Sequence, residues 1–198
     1  MRRGSSPPRQ HRLLQLIPKL PRKVTVEQLT KQLLQEGSNP HGYRAAIDEY
    51  VRDQPIVVSY LAEALDTFNK GSIKASAVML GAAAESMNLD VRDKLKKRIL
   101  AGNKSPPKAL DDFRIAVVLR AMETELRTRI KDMPRDLSER FESYWPAWTG
   151  LFRMTRNEAG HPKSVEPVTR DAVHASLLLF PEQAKLAYDL CAWVAASY

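Results

Sequence analysis

This chain has one cysteine and eight glycines in 198 residues, and aromatic side chains make up 7% of it. A single thiol excludes an internal disulfide framework and any cysteine-rich zinc site. Scarce glycine, together with few alternating β-branched or aromatic runs, argues against a fold built on sheets. No apolar run approaches the length of a membrane span. The stretch from Leu13 to Ile17 is too short for the core of a signal peptide. The four histidines do not gather with acids at ligand spacing, so neither a metal nor another cofactor is expected. These absences lead to the expectation of a soluble, cytoplasmic protein that does not enter a membrane.

What is present suits one globular domain with extensions. The composition is 43% hydrophobic and 27% charged, outside the range of disordered chains, and the length allows a sizeable core. The net charge of +8 is unevenly placed. Residues 1–23 carry seven basic residues and no acid, leaving 24 basic and 23 acidic residues for the rest. The body is therefore nearly neutral, and the high isoelectric point belongs to the tail. Such a tail can be an electrostatic arm for nucleic acid, or a solvated, disordered leader around Ser5-Ser6-Pro7-Pro8.

Periodicity and punctuation predict helices throughout. Thr25-Val26-Glu27-Gln28 reads as a capping box opening a short amphipathic helix that Gly37-Ser38-Asn39-Pro40 stops. A further short helix over Tyr43 to Arg52 completes an extension spanning 24–54. The body, 55–198, starts at Pro55, a favourable first-turn residue, and its first helix ends at Asn69-Lys70-Gly71. Ser72 is expected to cap a second helix reaching about Leu100, with Ile73, Ala77, Leu80, Ala84, Met87, Val91 and Leu95 on one stripe. Gly102-Asn103 ends it. Ser105-Pro106-Pro107 is expected to open a third long helix to about Asp132, and Asp136-Leu137-Ser138-Glu139 to cap a fourth that bends or restarts at Pro146. A last helical region covers 169–197, with a kink or restart at Phe180-Pro181. The expected fold is all-α, an up-and-down antiparallel helical bundle with a short helical N-terminal extension.

Chemistry concentrates in Arg156-Asn157-Glu158-Ala159-Gly160-His161-Pro162. Arginine offers a permanently charged fork matched to phosphate oxygens, and histidine exchanges a proton near neutral pH. Positions five apart on a regular helix point about 140° from each other. Pro162 disfavours helical geometry at His161 and Gly160 permits a sharp turn, so the break can let the two side chains converge. The bland alternative has Arg156 in a salt bridge with Glu158 or Glu85, and His161 satisfying the helix C-terminus.

Over residues 55–198 this pattern resembles the signature of the HEPN superfamily, in which an arginine, often followed by a polar residue such as Asn157, precedes a histidine by a short interval. The resemblance implies a metal-independent endoribonuclease of toxin or phage-defence type, working as a homodimer. His161 would take the ribose 2′-OH proton, Arg156 would stabilise the phosphorane, and Asn157 would orient one of them. Arg153 and Lys163, flanking the motif, are candidate RNA-backbone contacts. Glu85, in the small-residue run Gly81-Ala82-Ala83-Ala84-Glu85, is a candidate supporting carboxylate for Arg156 or Arg153. An antitoxin or a nucleotidyltransferase is a possible partner. The rival implication is a non-catalytic HEPN-like module that binds a nucleotide, RNA or protein. A third reading is a DNA-binding regulator using residues 25–52 with the basic tail.

Other candidates read as structural. Trp145, Trp148 and Phe152 have helical spacing that suits core packing better than base stacking. Cys191 lies in an apolar stretch and reads as an inert buried thiol. His174 is expected on a polar side of the last helix. Gly71-Ser72 is similar to the start of a minimal nucleotidyltransferase motif, but the downstream aspartate pair which that chemistry needs is absent.

Overall fold

A computed structural model of the chain describes residues 50, 51, 53–146 and 168–197. The basic tail, most of the short extension and the Arg156–His161 motif lie outside the described residues. Helices α1 (Pro55–Asn69), α2 (Ile73–Ala101), α3 (Ile115–Thr128), α4 (135–146) and α5 (Arg170–Ser197) make up the described fold. Two short 3₁₀ turns, Lys108–Asp111 and Ile130–Asp132, flank α3. Among the described residues there is no strand, and no helix is long and apolar enough to cross a membrane.

Helix α1 opens on Pro55, whose missing N–H would be unpaired in the first turn in any case. It buries Val57, Leu61, Ala64, Leu65 and Phe68 on one stripe. Gly71 ends the turn that follows with φ of +78°, a left-handed conformation that costs glycine little. Ser72 stands at the cap position of α2 as expected. Its hydroxyl makes no capping bond, however, and its backbone carbonyl accepts the N–H of Ser76 at 3.0 Å. Two helices, α1 and α5, cover α2, and so its buried positions spread beyond the expected stripe to Ser76, Gly81, Ala83 and Asn88. Small residues there let helix axes approach closely. Buried Ser76 and Asn88 are satisfied by donating to the carbonyls of Ala64 (2.7 Å) and Ala84 (2.9 Å).

Three expectations about the middle of the chain are corrected. The third helix is not continuous from 105. Pro106 and Pro107 supply no N–H, and the chain makes a single 3₁₀ turn that buries Leu110, then extends at Asp112 before α3 begins. Helix α3 stops at Thr128, and Met133 is extended because a proline follows it. Asp136 is not a cap, since α4 starts one residue earlier and the carbonyl of Pro134 accepts the Ser138 N–H at 2.9 Å. Asp136 instead accepts from Arg140 one turn later, at 2.8 Å. Helix α5 runs through Pro181 without a restart, and Thr169 caps it by accepting the Ala172 N–H at 3.2 Å.

Direction is a further correction. Helices α1 and α2 form an antiparallel hairpin, as do α4 and α5, whose Arg140 and Asp189 meet at 2.7 Å. Helix α5, by contrast, lies alongside α2 in the same sense. Its start contacts Phe68 beside the α1–α2 turn, and Cys191 lies within the field of Asp90 and Lys94. A strict up-and-down order fails between α2 and α5 because the segment expected as one long return helix is broken into short pieces. One core unites all five helices, with Leu80, Leu95, Met122, Leu126, Phe141, Trp145, Phe180 and Leu190 among its buried members.

Candidate functional site

Helix α4 leads into the motif segment, and α5 begins just after it. Both flanks are anchored in the core: Trp145 is 1% exposed and Val168 is 8% exposed. Trp145 is therefore a core residue, with its ring 5.3 Å from that of Phe141. The guanidinium of Arg127 caps the other side of this pair, 5.6 Å from the Phe141 ring. Tyr144 lies within the field of Glu182, and Arg170 to Glu182 spans roughly 18 Å of helix α5. The two anchors thus sit at different levels of the bundle.

Of the residues singled out in the sequence, Arg153, Arg156, Asn157, His161 and Lys163 lie outside the described residues. Glu85 is described, half-buried on α2 beside the small residues Ala83 and Ala84. Trp148 and Phe152 are outside the described residues as well. The inert thiol expected at Cys191 fits its surroundings, where burial pushes its pKa up to about 11. His174 does not lie on a polar face. It is half-buried, with its ring 5.7 Å from Phe68, whose face also carries the Arg170 guanidinium at 4.4 Å. Arg170 and His174 form a second arginine–histidine pair, one turn apart, and Phe68 occupies both.

A polar cluster between α4 and α5 was not legible in the sequence as a unit. Arg140 has a side chain only 15% exposed and bridges Asp136 of its own helix and Asp189 of α5. Lys185 adds a second cation to Asp189 at 3.0 Å. Burial alone would lower the Arg140 pKa, but bonding to Asp189 and the charge of Asp136 outweigh it and raise it. Burial raises Glu182 and Tyr144, which face the same network. The cluster fixes how α4 lies on α5, and through that the frame carrying the motif segment. The i,i+4 pairs Asp136/Arg140 and Lys185/Asp189 were visible signals of half of it. The bond across 49 positions was not.

Comparison with known proteins finds no family model, no curated protein and no solved structure that matches this chain.

Proposed function

We propose that this chain is a HEPN-like helical domain that cleaves RNA through the ribose 2′-OH without a metal ion, as a homodimeric toxin or defence effector. Supporting this reading is one observation, the string Arg156-Asn157-Glu158-Ala159-Gly160-His161-Pro162, in a chain whose described residues fold as helices without a strand. His161 removes the 2′-OH proton as the 2′-oxygen attacks phosphorus. Arg156 stabilises the extra charge on the phosphorane, with Asn157 orienting the pair. The bond to the 5′-oxygen breaks, that oxygen is protonated, and a 2′,3′-cyclic phosphate and a 5′-OH result. Arg153 and Lys163 contact the RNA backbone, and Glu85 supports an arginine of the motif. An antitoxin or nucleotidyltransferase would restrain the activity.

The test is incubation of total RNA with the pure protein in EDTA, using wild type, Arg156→Ala and His161→Ala. Cleavage by wild type that is lost in both variants supports the enzyme. RNA left intact by pure dimeric wild type overturns it in favour of a non-catalytic module that binds a nucleotide, RNA or protein.

A further inference from the structure

The near-neutral body hides an uneven distribution of charge. Residues 94–114 hold seven cations against two carboxylates, a local surplus of five. Both carboxylates are already engaged. Asp111 pairs with Lys96, and Asp112 takes the Arg114 guanidinium at 2.8 Å and its backbone N–H at 2.8 Å. Among the described residues, Lys97, Lys104 and Lys108 are exposed and form no ion pair. The Lys96–Asp111 pair folds the 108–114 segment back against the last turns of α2, so these cations share one end of the bundle.

An aromatic ring stands on the same segment. Phe113 is 94% exposed, which is rare for a phenylalanine in a short connection. Its neighbours Asp112 and Arg114 are hydrogen-bonded to each other, and the Arg114 guanidinium lies 5.5 Å from the ring centre. Leu100, at the end of α2, is 57% exposed. An exposed aromatic face at the end of the bundle that carries unpaired lysines matches single-stranded nucleic acid, whose phosphates need cations and whose bases stack on rings. A membrane surface would require more apolar area than one phenylalanine and one leucine provide.

We infer that the end of α2 and the 104–114 segment form a binding surface for single-stranded RNA, with Lys97, Lys104 and Lys108 on phosphates and Phe113 under a base. It contains neither Arg156 nor His161 and deepens the ribonuclease reading by assigning where the substrate strand lies; it rests on that reading only for the choice of RNA.

The experiment measures anisotropy of a labelled 2′-O-methyl oligouridylate across a salt series, with the full-length protein. This probe cannot be cut through a 2′-OH, so binding is scored whether or not the chain is a nuclease. Binding by wild type should have a salt slope that falls by about 2 in the Lys97→Ala/Lys104→Ala/Lys108→Ala variant, at roughly 0.7 per phosphate contact. Phe113→Ala should weaken binding at least about fivefold, and Phe113→Tyr should restore it. An unchanged slope and affinity in these variants, with circular dichroism showing them folded, overturns the proposal. So does wild type that ignores the oligonucleotide but binds phosphatidylserine vesicles.

Discussion

Replacing Phe141 by alanine should destabilise the protein by about 3–5 kcal/mol, the usual cost of emptying a buried phenylalanine site. Phe141 is fully buried at the centre of α4. Part of that loss is the aromatic contact with Trp145 at 5.3 Å, which is worth about 0.5–1.5 kcal/mol beyond burial. A smaller part is the Arg127 guanidinium over the ring. Because the Arg127 side chain is 43% exposed, about 0.5–1 kcal/mol is a fair bound for it. Phe141→Leu keeps most of the apolar contact and should lose only about 1–1.5 kcal/mol. The assay is urea unfolding followed by far-ultraviolet circular dichroism, comparing midpoints at constant m. A double-mutant cycle with Trp145→Leu isolates the ring contact, with an expected coupling of about 0.5–1.5 kcal/mol. If Phe141→Ala shifts stability by less than about 1 kcal/mol with m unchanged, α4 does not pack as described and the frame under the motif is wrong.

Two further outcomes follow from buried titratable groups. Glu182 has its carboxyl pKa raised, chiefly by burial and also by Asp136, against the lowering effect of Arg140 and Lys185. A raised folded-state carboxyl means that the charged form disfavours folding above that pKa, and the penalty fades as pH falls through the carboxyl range. Glu182→Gln should therefore raise Tm at pH 7 and lose that advantage near pH 4, whereas a lower Tm at pH 7 would show that pairing to Arg140 dominates. Cys191, with its thiol pushed up to about 11 by burial, should resist a charged thiol reagent at neutral pH and react fully in urea. Prompt stoichiometric labelling of the folded protein would contradict the burial.

Local punctuation made much of the fold readable. Pro55, Gly71 and Gly102-Asn103 bound helices where the sequence placed them, because each acts within a few residues through φ or a missing donor. Thr169 starts α5 just as locally, its hydroxyl accepting the Ala172 N–H. Reading failed where two local signals competed. Pro106-Pro107 satisfies the preference for proline in a first helical turn, yet the lost donors and the buried Leu110 favour a single 3₁₀ turn. Asp136 to Glu139 fits a capping pattern, but Pro134 takes the cap position first. The parallel course of α2 and α5 and the contact of His174 with Phe68 depend on residues distant in sequence, which no window of local pattern contains. The site is the reverse case. Arg156, Asn157 and His161 stand out as a string, whereas the polar cluster of Arg140 with Asp189 emerges only in three dimensions.

The nuclease reading is tested most directly by the ends left on a cut strand. A defined oligoribonucleotide and its 2′-O-methyl counterpart are incubated with the protein in EDTA, and the fragments are weighed by mass spectrometry. The ribose strand should yield a 2′,3′-cyclic phosphate and a 5′-OH, with the methylated strand intact. Fragments ending in 3′-OH and 5′-phosphate, or equal cutting of both strands, would contradict it.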